Sequence, residues 1–493
     1  MISNEYPENL KQLLDFTKIK YGTFADALGY DISYISKWVN GVRLPAAKNV
    51  DMINQQIADY LAKVIFRQKQ ANEFSKEFTV SYCDSEETFR VVIYDLLSRS
   101  YRMSIRKEKV QQTDGKTTTF ISGQASCQYV MQQLFKQRLE TATNPPSMVI
   151  TGEYYELAEN GFWQLLASIR LSVCPCSVHV ILDLSNMKTD KTASAHKLYH
   201  CLDTLLDYQF TIYENLDKAY DNIIVVENQF AVLYYLNEQH NIDMCVLITD
   251  LIQVNQIYCR CRDFIKTQPI LLLPKKTLGM ERFGYRDMFF TSNKYFYFLA
   301  HGFEFLLPDQ VFESLVKNAK KGLYRPANEK WVHRIQVIWK NLMDKAELHF
   351  VLPSNSIIQY LETGYIHLND FSYQLTLEER KLHIQQVLNV MKSNPNITLG
   401  VLLPTVGKYD YENFINLSFY SNYSTAFFKK SLQRINENTA PIYLVNNSDL
   451  LQCFQEFFAN QVHSPGYREY TYQDLVKLCE KYNYLLANLF DDL

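Results

Sequence analysis

Glycine and proline are scarce in this chain, 15 and 14 residues of 493. Phosphate-cradling loops depend on closely spaced glycines, and neither G-x-x-x-x-G-K-S/T nor G-x-G-x-x-G occurs. H-E-x-x-H and the G-x-S-x-G nucleophile turn are missing as well. Nothing apolar approaches the roughly 20 residues that span a bilayer. The run Pro269-Ile270-Leu271-Leu272-Leu273-Pro274 is short and reads as one buried strand. Met1 to Pro7 lack the basic start and apolar stretch of a secretory signal. These absences predict a cytoplasmic protein that is not an enzyme, with no catalytic residues, cofactor, metal or membrane contact.

Charge of one sign is lacking too. Lys and Arg number 50 against 53 Asp and Glu, a net charge of −3, so any nucleic-acid contact needs a local patch. Residues 1–70 hold nine basic residues against seven acidic ones. The ten cysteines include Cys174-Pro175-Cys176 and Cys259-Arg260-Cys261, which are not the C-x-x-C pairs of zinc sites. They read as reduced and mostly buried, with a redox-sensing pair as the alternative.

What is present is apolar and aromatic: 47% hydrophobic residues, 21% charged, 35 Tyr and 30 Phe. That is the composition of a packed protein, and the length predicts two or three domains. Apolar spacing predicts helices from Leu10, over Lys20 to Leu28, from Asp31 to Asn40, and along Val50, Ile53, Ile57, Leu61 and Val64. Another runs through Ile93, Leu96 and Leu97, and Thr113-Asp114-Gly115-Lys116 is a hairpin-turn signal. From Met148 strands and helices alternate, which predicts α/β layers. A hairpin is expected at Ile223 to Tyr234. Later strands are expected near Leu348 to Leu352, Thr398 to Leu403 and Ile442 to Val445, with helices near Leu375 to Met391, Ala426 to Ile435 and Leu450 to Val462. The fold expected is multidomain: an all-α helix-turn-helix domain (1–65), a linker helix and small mixed module (66–143), and an α/β body. The body could divide into two α/β halves, 144–345 and 346–493.

The segment Phe24 to Gly41 carries the chemistry. Ala25 is small enough for two short helices to cross, and Gly29 suits the turn between them. Asp31 is placed to cap the second helix. Ile35 and Trp38 lock that helix down, leaving Ser33, Tyr34, Ser36 and Lys37 free on its other face. The spacing Phe24-Ala25-x-x-x-Gly29, then Ile35-Ser36, Trp38 and Gly41, resembles the lambda-repressor/Cro-like (XRE) helix-turn-helix family over about 55 of the 493 residues. Phe24 replaces the usual Leu, Asp31 the usual Ser or Thr, and Val39 a common Glu. The resemblance implies a bacterial-type transcriptional regulator that binds double-stranded DNA as a homodimer. Ile32, Ser33 and Lys37 would lie at base edges with Tyr34 close by, and Tyr21, Thr23, Asn40, Arg43 and Lys48 at phosphates.

The remainder offers no catalytic constellation. His196 and His200 stand at i, i+4 but read as a surface face. The strand order at 148–250 loosely resembles half of a phospholipase D-like fold, whose H-x-K-x-x-x-x-D signature would be missing, since Asn222 to Tyr235 contains neither His nor Lys. A sensor and dimerisation body for a small-molecule or peptide effector is expected. Tyr154-Tyr155, Phe162-Trp163, Tyr234-Tyr235 and the run from Phe289 to Phe298 could line its pocket, though core packing is the plainer reading. The alternative is a tethered effector or interaction protein, with the body (a degenerate phosphodiester-hydrolase scaffold, for instance) as the working part.

Overall fold

A computed structural model describes residues 5–46, 49–68, 70, 73–74, 77–78, 85–111, 118–216, 222–276, 288–319, 325–368, 371–403 and 416–477. The turn expected at Thr113 to Lys116 lies outside them. The chain divides into two compact units, 1–116 and 117–493: a helical region and a large mixed α/β body.

The helical unit contains α1 (Glu5–Thr17), α2 (Tyr21–Leu28), α3 (Ile32–Val39), α4 (Val50–Arg67) and α5 (Glu86–Gln111). Its core continues past residue 65, because α5 adds Phe89, Ile93, Leu97 and Tyr101 to Leu10, Leu14, Phe24, Ile35, Ile57 and Leu61. Phe74 joins them, edge-on to Phe16 at 5.7 Å. Two buried tyrosines of these helices have their hydroxyls paired. Tyr6 Oη donates to Asn54 Oδ1 at 2.8 Å, and Tyr101 Oη donates to the Pro45 carbonyl at 2.7 Å.

The body begins at β1 (Thr118–Ser122) and α6 (Gln124–Glu140). So the segment 66–143 supplies α5 to one unit and β1 and α6 to the other. The next stretch holds β2 (Ser147–Glu153), α7 (Tyr154–Glu159), α8 (Phe162–Ala167), β3 (Cys176–Leu182), α9 (Leu184–Thr189), α10 (Lys191–Thr204), β4 (Tyr208–Glu214), the hairpin β5 (Ile223–Val226) and β6 (Phe230–Leu236), β7 (Ile242–Ile248), α11 (Leu251–Ile265) and β8 (Ile270–Lys275). The last holds β9 (Lys294–Phe298), α12 (Asp309–Ala319), α13 (Arg325–Lys345), β10 (Glu347–Pro353), α14 (Ser354–Thr363), the separate pair β11 (Tyr365–Leu368) and β12 (Phe371–Gln374), α15 (Leu377–Ser393), β13 (Ile397–Leu402), β14 (Leu417–Ser421), β15 (Ala426–Lys430), β16 (Ile442–Val445), α16 (Ser448–Val462) and β17 (Tyr467–Tyr470).

Among the described residues fifteen strands form one sheet, in the order β1-β7-β6-β5-β2-β3-β4-β8-β16-β15-β14-β9-β10-β13-β17. This order contains the same arrangement twice. In β7-β6-β5-β2-β3-β4-β8 three central strands run parallel and the outer ones pair antiparallel. In β16-β15-β14-β9-β10-β13-β17 both the chain order and every direction are repeated. The junction, β8 with β16, is antiparallel. The faces exchange as well. Helices α7, α8 and α10 of the first half cover Ile150 and Val180, whereas α16 covers that side of the second half through Phe454 and Phe458. On the other side α11 packs on Val149 and Val225, and α13 and α15 pack on Tyr297 and Phe350. The second half is therefore the first one rotated by half a turn about the sheet's long direction and shifted along it.

Ala426–Lys430, expected to be helical, is strand β15. It is covered on both faces, so its residues show no single apolar stripe, and two buried lysines imitate a polar helical face.

Candidate nucleic-acid interface

α2 ends at Leu28, and Gly29 turns the chain with φ 71°. A Cβ there would meet nothing within 4 Å, so the backbone angle, not space, asks for glycine. The Tyr30 N–H then closes the helix end on the Ala25 carbonyl at 3.0 Å. Asp31 caps α3, with the Ser33 N–H donating to Asp31 Oδ1 at 2.8 Å. Hydrogen bonds from Ser33 hold the Asp31 carboxyl below the usual carboxylate range, and Lys37 adds to this.

α3 has eight residues, a length of about 12 Å. Ile35, Trp38 and Val39 are buried in the helical core, and Tyr30 meets Trp38 edge-on at 5.2 Å. The opposite side is exposed: Ile32 at 52%, Tyr34 at 46%, with Ser33 and Lys37 beside them. Lys37 Nζ lies 5.9 Å from the centre of the Tyr34 ring, so cation and ring form one patch. Asn40 and Arg43 are exposed beyond the helix end, and Asn40 Nδ2 donates to Ser36 Oγ at 3.3 Å. At the start of α2, Thr23 is exposed and Tyr21 half-buried. Lys48 lies outside the described residues. Val42 was not singled out by its sequence, yet it is 74% exposed beside Arg43; its only signal was an apolar residue next to Gly41.

In the body, His200 is exposed and His196 half-buried, with rings 6.3 Å apart. Among the described residues no cluster of three or more His, Cys, Asp or Glu could hold a metal ion. Six of the eight described cysteines are buried, including Cys176 and Cys261. No helix among the described residues is long and apolar enough to cross a membrane.

No protein-family model and no curated protein sequence matches the chain. Among solved structures it is similar to TrmBL2, an archaeal chromatin protein with a novel mode of DNA binding, at 12% identity over 38% of this chain and 72% of that one, with a TM-score of 0.20. It is also similar to the phosphatidylserine synthase of Haemophilus influenzae Rd KW20, at 10% identity over 76% of this chain and 94% of that one, with a TM-score of 0.23. At such scores neither similarity carries an argument about fold or function.

Proposed function

We propose that the helical unit binds double-stranded DNA with α3 in the major groove, and that the chain is a sequence-specific transcriptional regulator. The observation that supports this most is the division of α3 into two faces. Ile35, Trp38 and Val39 anchor it, and Ile32, Ser33, Tyr34 and Lys37 stand together in solvent. A helix about 12 Å long with one free face suits a groove about 12 Å wide. Lys37 donates to guanine O6 or N7, and Ile32 packs on a thymine methyl. Thr23, Tyr21, Asn40 and Arg43 hold the backbone, which positions the helix without choosing a sequence. Two copies bind as a homodimer, reading half-sites one helical turn apart. The body serves dimerisation and effector sensing.

The test is binding of the intact protein to its own upstream DNA, against scrambled DNA, across a salt series. Selective binding that weakens steeply with salt is expected. Equal binding to both DNAs, by protein shown to be folded, rejects the reading.

A further inference from the structure

One cavity in the second half of the body lies beside three buried polar atoms that have no partner. It measures about 50 Å3 and lies against Phe289, Phe290, Phe305, Trp339 and Phe427. Its polar lining comes from Tyr297, Glu304, Trp339, His367, Tyr420 and Lys429. Glu304, in the loop after β9, and Lys429, on β15, are an ion pair at 2.6 Å, both deeply buried. Tyr420 Oη donates to Glu304 Oε1 at 2.6 Å, and Lys429 also donates to the His367 carbonyl. Glu304 Oε1 is thus fully engaged. Glu304 Oε2, Tyr297 Oη and Trp339 Nε1 are buried and unpartnered.

A buried polar atom of this kind is costly to the fold unless something pairs with it. Three on residues that line one cavity outline a complement, although Tyr297 and Trp339 also line a second, smaller one. Oε2 needs a donor, Trp339 Nε1 needs an acceptor, and Tyr297 Oη takes either. The charges of Glu304 and Lys429 cancel, so a charged guest would bring an unbalanced charge into an apolar site. Tyr420 and Phe427 lie face to face at 4.7 Å and 5°, and Phe305 lies 4.8 Å from Trp339, so the walls are flat. The volume admits about three or four heavy atoms, since one water needs roughly 10–15 Å3. The geometry points to a binding site for an uncharged planar carboxamide group on a small molecule. Its N–H donates to Glu304 Oε2, and its carbonyl accepts from Trp339 Nε1.

The inference gives the sensing role of the body a ligand chemistry, and its readout contains no DNA. Failure here and failure of DNA binding are therefore distinguishable. Acetamide is titrated into the intact protein by ligand-observed NMR, beside acetone, which has the same size and shape but no donor. Saturable acetamide binding is expected, with acetone about ten-fold weaker or more, as the loss of a hydrogen bond to a charged group requires. Trp339→Phe and Tyr297→Phe check the site. Tyr297→Phe removes an unpartnered polar atom at nearly constant volume, so without ligand it should melt no lower than the wild type; Trp339→Phe, which also removes part of a buried ring, should stay folded but lose acetamide binding. Absence of saturable acetamide binding, which makes this a cavity for water alone, overturns the proposal. So does equal binding of acetone, or unchanged binding in Trp339→Phe.

Discussion

His383 sits fully buried on α15 between two fixed partners. Its Nε2–H donates to the Phe305 carbonyl at 2.6 Å, so Nδ1 must accept from Tyr360 Oη, also at 2.6 Å. A second proton has no place there, and burial pushes the imidazole down to about 4. His367 is likewise pushed down to about 4 by burial, with Lys429 adding to it. Their folded values lie below the ordinary 6.5, so between those limits the unfolded chain binds more protons. Stability is present above pH 6.5 and is lost as pH falls toward 4, by about 1.4 kcal/mol per pH unit for each histidine. Thermal unfolding between pH 7 and pH 4.5 checks this: His383→Gln should flatten the slope by about one proton. An unchanged slope would mean that the histidine is already charged in the fold. Asp31 yields a prediction of another kind. Asp31→Ser keeps an oxygen for the cap and removes a negative charge near the proposed phosphate path. DNA affinity should rise while the melting temperature holds. Lys37→Ala should weaken binding to the preferred DNA by about 1–3 kcal/mol and narrow the gap to scrambled DNA. Asp31 could be recognised as a cap because its role is settled within three residues. The ion pair of Glu304 with Lys429 could not, since the two stand far apart in sequence and meet only through the sheet.

Among elements, α1 to α4 were legible because each buries one apolar stripe, and the stripe shows in the spacing whatever partner covers it. The hairpin β5–β6 was legible for a similar reason, its strands being split by Glu227-Asn228-Gln229. β9 was not: Tyr295, Phe296, Tyr297 and Phe298 are all buried, so no alternation marks the strand. The same holds for β15, where Lys430 donates to the Leu206 carbonyl at 2.8 Å inside the core. Where β13 meets β17, the ring of Tyr467 lies across Gly400, and a Cβ on Gly400 would come within 2.2 Å of it. That ring also bonds His349 Nε2 through its hydroxyl at 3.2 Å and cannot turn away freely. Gly400→Ala should therefore loosen β17, read as faster amide exchange at Tyr467 to Tyr470 with little change in β9 and β10. Slow exchange at β17 in this variant would show that the ring shifts at low cost.

For the whole molecule, the sequence suggested two α/β halves dividing at 345/346, whereas the repeated strand order takes its second copy from β9 at Lys294 onward; the relation between the halves was not legible, because duplication of strand order leaves no mark in residue spacing. The halves are tied across one side of the sheet, where α10 meets α16. Tyr199 packs edge-on to Phe458 at 5.5 Å, and Lys191 pairs with Glu456 at 2.6 Å. If a tethered effector body were the working part, a Lys37→Ala/Arg43→Ala double variant would keep the body's separate activity. A regulator would lose promoter control outright.

The relation between the halves also has no natural stopping point. A half-turn with a shift does not return to its start, so the same step could in principle be taken again, from one chain to the next, as in a growing fibre. Two plain devices bring it to a halt. At one end β1 occupies the flank of β7, in the same antiparallel sense as β8 beside β16. At the other, β17 presents exposed Arg468 and Glu469, charges that discourage a further strand. The short strand that opens the body is thus a stopper. Ile121→Asp, which places a charge where β1 enters the core, should uncork that end and give concentration-dependent assemblies by light scattering. A variant that scatters like the wild type at every concentration would show that the chain needs no stopper there.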